Sequence, residues 1–193
     1  MLREKLILAS RSPRRAEILT AAGWDFEAIA ADIDETRLAG EDALSYVQRL
    51  AQLKARKIAT QQRANGLVLG ADTVVIIYGE ILGQPRDDED ARRMLRLLSG
   101  NWHEVLTGVA LIRNGENHAE VIDHQRTKVR FAEMSAEQID WYVATGEPKG
   151  KAGAYGIQGR AALFITEIEG DYFNVVGLPL RLVFEMAQRL GAE

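Results

Sequence analysis

The sequence predicts one mixed α/β domain over residues 1–193, and three observations carry that reading. An apolar segment followed at once by helix-start residues opens the chain. A nearly unbroken apolar run, Leu67 to Ile77, has the length of a strand covered on both faces. Two strand-like segments, Val105 to Arg113 and Glu120 to Phe131, flank an Asn114-Gly115 turn, the strongest short hairpin signal in the chain. No internal repeat, low-complexity stretch or flexible linker interrupts them.

Taken in order, Lys5 to Ala9 reads as a short strand. Ser12 reads as an N-cap, Pro13 as the first helical residue, Ile18 and Leu19 as the buried face and Gly23 as the stop. Phe26 to Ala30 is a second strand running into the acidic loop Asp32 to Glu35. A helix over Glu41 to Gln61 keeps Leu44, Val47, Leu50, Ala51 and Ile58 at helical spacing. Lys54 falls in that same stripe, so either its stem snorkels along the apolar surface or its amine meets an anion at the edge.

Beyond the Leu67–Ile77 strand, Tyr78 to Ile81 forms a tight turn leading to Leu82-Gly83-Gln84-Pro85. A helix then runs from Asp88 to Ser99, with Gly100 as its stop. Ser135 to Gln138 is a capping box opening a short helix that Gly146 ends. Glycines at 146, 150, 153, 156 and 159 predict a loop passing close to a ligand. Ala161 to Thr166 and Tyr172 to Val176 are expected to pair as a second hairpin around Glu169-Gly170. Pro179 starts a final helix that Gly191 terminates.

Composition narrows the function classes. Apolar residues make up 47% and charged residues 27%, as in ordinary globular proteins. The net charge of −4 argues against non-specific nucleic-acid binding, so any anion site is a local positive pocket. The absence of cysteine excludes disulfides, thiolate metal sites and a cysteine nucleophile. Neither a signal peptide nor an apolar stretch near 18 residues is evident, so a cytoplasmic protein without a membrane partner is expected.

Arg14 and Arg15 fall in the first turn of a helix, where the dipole is already positive. They are either solvated surface residues or one half of a phosphate site. Asp72 interrupts a buried apolar run, where an ionised carboxylate is costly unless a cation or several donors meet it. It is a catalytic candidate, or it caps a bend at Gly70-Ala71-Asp72. Gly146 to Lys151 fails the P-loop spacing, and no Gly-x-Gly-x-x-Gly or Gly-x-Ser-x-Gly occurs. His103, His118 and His124 lack metal-ligand spacing and are predicted to lie on the surface. Glu35, Asp72, Arg14, Arg15, Lys54, Lys151 and the glycine-rich loop remain. That inventory points toward magnesium-assisted attack of water on a phosphate ester.

Five segments then match a known pattern: Ala9-Ser10-Arg11-Ser12-Pro13-Arg14-Arg15, Gly70-Ala71-Asp72-Thr73-Val74, Leu97-Leu98-Ser99-Gly100, Lys151 to Gly159, and Gly170 to Pro179. Together, in this order over essentially the whole chain, they resemble the Maf family of nucleoside triphosphate pyrophosphatases. The resemblance implies an elongated α/β fold related to the inosine triphosphate pyrophosphatases, two lobes around a cleft, and commonly a homodimer. It implies hydrolysis of a nucleoside triphosphate to the monophosphate and pyrophosphate with a divalent cation, Mg2+ or Mn2+. Asp72 matches the general base, Glu35 with Asp72 the metal carboxylates, and Ser10, Arg14, Arg15 and Lys54 the phosphate end.

Within the family, Arg14, Thr73 and Gln158 match the branch acting on dTTP and UTP; the branch associated with 7-methyl-GTP carries Gln and Glu in place of Thr73 and Gln158. An amide offers both a donor and an acceptor, which suits O4 and N3–H of uracil or thymine. A carboxylate only accepts, which suits the two N–H donors of guanine. One position departs: Gln84 stands where the family usually has a lysine reaching the phosphates, with Arg86 two residues on. The second reading is a non-catalytic nucleotide-binding regulator of septum formation.

Overall fold

Residues 4–61, 66–115 and 118–192 are described by a computed structural model. Its strands are β1 (Leu6–Leu8), β2 (Phe26–Ala28), β3 (Gly66–Ile77), β4 (Glu80–Leu82), β5 (Trp102–Asn114), β6 (Ala119–Phe131) and β7 (Ile165–Glu169). They form one mixed sheet in the order β2-β1-β3-β5-β6-β7, with β4 paired to β3. β1 runs parallel to β2 and β3, whereas β3–β4 and β6–β7 are antiparallel. The helices are α1 (Pro13–Ala21), α2 (Ala43–Gln61), α3 (Asp88–Leu98), α4 (Ala136–Ala144), α5 (Tyr172–Val176) and α6 (Leu180–Arg189). Among the described residues no helix is long and apolar enough to cross a membrane.

The chain divides into two compact units. The first comprises Met1–Asp72, Thr107–Gln125 and Gly177–Glu193, and the second Thr73–Leu106 and Arg126–Val176. In the first, Ile7, Ala51, Ala55, Ile58, Val68 and Ala110 share a core. Small residues line it because α2 lies backbone-close on the strands. A Cβ on Gly70 would stand 2.2 Å from the Ala51 carbonyl oxygen, and one on Gly108 2.5 Å from the Val47 carbonyl. The predicted ends of α1 hold, although Ser12 caps by backbone geometry alone, its side chain making no capping hydrogen bond.

In the second unit, Val75, Leu82, Leu95, Val129, Phe131 and Tyr142 are core residues. The capping box at Ser135 is formed in both directions. The second predicted hairpin is not: residues 172–176 are helical, and β7 pairs with β6 instead. The Asp171 carboxylate accepts from the Phe173 and Asn174 N–H groups at 2.7 and 3.2 Å, which turns the chain into α5. Buried Asn174 then donates to the Val105 carbonyl and to Thr127 Oγ1, outweighing the strand propensity of its aromatic and β-branched neighbours. The first predicted hairpin is present as neighbouring β5 and β6, but part of its connection, residues 116 and 117, lies outside the described residues.

His103 also departs from expectation. It is 2% exposed, because Trp102 takes the outward position on β5 and leaves the next residue facing the core. Its Nε2 lies 2.8 Å from the Tyr155 hydroxyl, and its ring meets Phe131 and Tyr155 edge to face. Burial pushes the imidazole down from 6.5 to about 4. The unfolded chain therefore takes up a proton near pH 6.5 that the folded chain refuses until about pH 4. Stability is unaffected by this group above that window and falls by about 3 kcal/mol as pH drops through it. His103→Gln should flatten that limb in denaturant titrations run at intervals across the window. An unchanged slope would remove His103 as its source.

Candidate active site

Helical periodicity places Lys54 on the buried stripe of α2, and there its amine meets two anions. Nζ lies 2.6 Å from Asp72 Oδ1 and 2.7 Å from Glu35 Oε1. The Lys54 and Asp72 side chains are 10% and 12% exposed, whereas that of Glu35 is 53% exposed. Asp72 sits within β3 and not at a bend beyond it, so the capping alternative falls away. Burial raises the Asp72 pKa, while the charge and hydrogen bond of Lys54 and the charge of Arg15 act against that rise.

The loop carrying Glu35 is pinned from α2. The Tyr46 hydroxyl donates to the Glu35 carbonyl at 2.9 Å, and Arg49 donates to the Thr36 carbonyl at 3.1 Å while gripping Glu41. Tyr46 and Arg49 were not legible as site-forming residues. Their only sequence signal is that they share a helix with Lys54.

Arg15 is buried, and its guanidinium donates to the protein on more than one side. Nε donates to the Gly177 carbonyl at 2.8 Å; Nη1 donates to the Ala71 carbonyl at 2.9 Å and to Ser10 Oγ at 3.3 Å. This guanidinium ties the loop after β1 to the residue preceding Asp72 and to the entry of α6. Burial lowers its pKa, with Asp72 opposing. Arg14 is half-buried beside it, and burial lowers its pKa too. No acidic residue occupies the first turn of α1; the carboxylates acting on these cations are Glu17 for Arg14, and Asp72 and Glu35 for Arg15.

Ser10, Arg14, Arg15, Glu35, Lys54 and Asp72 thus all belong to the first unit, while Thr73, Gln84, Lys151 and Gln158 belong to the second. There, Thr73 is partly buried and Gln84 and Gln158 are exposed. The Gly83 carbonyl, next to Gln84, accepts from the Gly153 N–H at 3.0 Å, and the Lys151 ammonium donates to the Glu147 carbonyl. Arg86 binds Asp90 through its backbone N–H and its guanidinium, at 3.2 and 3.3 Å. Three glycines of the glycine-rich loop are closely approached by side chains of the second unit. A Cβ at Gly153 would meet Val75, at Gly156 Lys151, and at Gly159 Glu147.

No group of three or more metal-ligating side chains occurs among the described residues. Two carboxylates brought to one ammonium, Glu35 and Asp72, nonetheless fit a hard cation of the magnesium type, which takes one or two carboxylates and completes its shell with water and substrate phosphates.

The sequence model of the family described as Maf-like protein matches residues 5–190. A dTTP/UTP pyrophosphatase from Symbiobacterium thermophilum is 50% identical over 188 residues, 97% of this chain and 95% of that protein. Another, from Geobacillus sp., is 50% identical over 189 residues, 97% of this chain and 99% of that protein. Among solved structures, a HAM1 protein from Coxiella burnetii is 21% identical over 80% of this chain and 86% of its own, with a TM-score of 0.46. Matched from residue 5 to residue 190 and half identical to such relatives along nearly its whole length, the chain belongs to the Maf family.

Proposed function

We propose that this chain hydrolyses nucleoside triphosphates, dTTP and UTP foremost, to the monophosphate and pyrophosphate. The observation that carries the reading is the Asp72–Lys54–Glu35 cluster: a buried carboxylate held at 2.6 Å from an ammonium, in a chain half identical to dTTP/UTP pyrophosphatases. Asp72 is the general base. Its raised pKa strengthens the ionised carboxylate as a proton acceptor, and the Lys54 charge keeps ionisation within reach. Asp72 takes a proton from water as the water oxygen bonds to the α-phosphorus; the bond from that phosphorus to the bridging oxygen breaks, and pyrophosphate leaves.

Glu35 and Asp72 would hold a divalent cation, Mg2+ or Mn2+, which supplies positive charge to the phosphate oxygens. Ser10, Arg14 and Lys151 bind the phosphates. Arg15 braces the residue before Asp72 and adds its positive charge at the phosphate end. Thr73 and Gln158 select the base, and Gln84 lies at the position of the family's phosphate lysine. Coverage of residues 5–190 by one family model supports a single functional domain through both units. The family resemblance supports a homodimer, the composition of the sequence suits a cytoplasmic setting, and the net charge of −4 suits a nucleotide and not a nucleic-acid partner. A purely regulatory nucleotide binder has no need of a buried base, so the catalytic reading is favoured.

Pyrophosphate release measured across the nucleoside triphosphates, with Mg2+ or with excess chelator, tests this. Turnover should be highest on dTTP and UTP and vanish in chelator; full turnover in chelator sinks the cation. Gln158→Glu should lower pyrimidine kcat/KM by roughly 5- to 150-fold, the equivalent of about 1–3 kcal/mol for an unpaired polar group. An unchanged nucleotide ranking removes Gln158 from base recognition.

A further inference from the structure

The segment carrying Lys151 and Gln158 is organised around one carboxylate. Glu147 Oε1 accepts from the Tyr142 hydroxyl at 2.9 Å and lies 3.5 Å from the Ala161 N–H, while Oε2 accepts from the Arg160 N–H at 3.0 Å. The Tyr142 hydroxyl itself accepts from the Gly156 N–H at 3.3 Å. Tyr142 is fully buried on α4, so it anchors the network to the core. Burial, reinforced by Glu147, raises the Tyr142 pKa, which keeps the hydroxyl a donor to the carboxylate.

Gly159 is needed for close approach and not for an unusual backbone angle. A Cβ there would stand 2.4 Å from Oε1 and 2.6 Å from Oε2, and its φ is −108°. Gln158 therefore sits between two tethered points, Gly156 and Arg160. Its own side chain is exposed, so packing does not hold it and the backbone sets the direction of its Cα–Cβ bond. Three donors converge on the Glu147 carboxylate. An ionised carboxylate has acceptor sites for all of them, whereas an amide would turn an NH2 group against one.

We propose that Glu147 is a positioning residue for base selection: by holding the backbone of residues 156–161, its carboxylate fixes the point and direction from which the Gln158 side chain reaches the base. The proposal rests on the reading of Gln158 as the residue that recognises the base. Gly159 is the loop glycine that this carboxylate requires.

The test compares wild type with Glu147→Gln and Gly159→Ala, using Gln158→Ala as reference. Steady-state kinetics are measured on dTTP, on GTP, and on ribose 5′-triphosphate, which has the sugar and phosphates without a base. Both variants should raise KM for dTTP about tenfold with kcat nearly unchanged, as loss of ground-state binding does. They should shrink the dTTP-over-GTP preference as Gln158→Ala does, while hydrolysis of ribose 5′-triphosphate stays within about twofold of wild type. Equal losses on dTTP and on the base-free substrate would assign Glu147 to folding alone and overturn the proposal. So would an unchanged preference in the two variants when Gln158→Ala alters it. An unchanged preference in Gln158→Ala itself overturns the base reading, and the proposal with it. A wild type inactive on every triphosphate overturns the function first.

Discussion

Asp72→Asn should lower kcat on dTTP by about 10²- to 10⁴-fold, the usual contribution of a general base, while the chain still folds. The amide keeps the shape of the side chain but has no charge with which to take a proton or help hold a cation. Stability should not fall with activity. Burial raises the Asp72 pKa, so folding favours the protonated form. That stabilisation is complete below the unfolded value of 3.8 and is lost as pH rises through the folded value. At neutral pH the ionised carboxylate is therefore a burden that a neutral amide removes, and Lys54 retains Glu35 at 2.7 Å. Thermal unfolding near pH 7.5 should show a midpoint equal to or above that of wild type. A variant that keeps most of its rate takes Asp72 out of the chemistry, whatever its stability.

The candidate site was legible where its members broke a local rule. Asp72 is a carboxylate in an apolar strand, Lys54 is a cation on an apolar helical stripe, and Arg14 and Arg15 are cations at a helix start. Such violations are visible without coordinates. The contacts that hold the members in place were not, because they are made by backbone groups or by residues of ordinary appearance: Tyr46 on the Glu35 carbonyl, Arg15 on the Ala71 carbonyl, Glu147 on two N–H groups.

The errors have the same root. Tyr172 to Val176 has the composition of a strand, and only the capping carboxylate of Asp171 and the buried amide of Asn174 make it helical. His103 looks like a surface histidine until Tyr155, 52 residues away in sequence, supplies its partner. Strand and helix periodicity recorded which face each residue takes; partners from distant segments left no local trace.

Gly70→Ala should be strongly destabilising. The added Cβ would lie 2.2 Å from the Ala51 carbonyl oxygen, 2.8 Å from the Ala55 nitrogen and 3.0 Å from the Ala55 Cβ. These atoms belong to the middle of α2, where no flexible side chain can swing aside, so the helix or the strand must move. Overpacking of this kind costs about 1–3 kcal/mol and occasionally more. With backbone on both sides the upper end is expected, a fall in Tm of about 6–12 °C for a chain of this size. Activity should suffer beyond the stability loss. Gly70 lies two residues before Asp72, and the turn of α2 over it, Ala51 to Ala55, carries Lys54, so the displacement that relieves the clash also lengthens the 2.6 Å contact between amine and carboxylate. Melting curves together with dTTP kinetics at a temperature where the variant is fully folded separate the two effects. A Tm within about 2 °C of wild type would mean that α2 does not sit on β3 as closely as the Gly70 geometry requires.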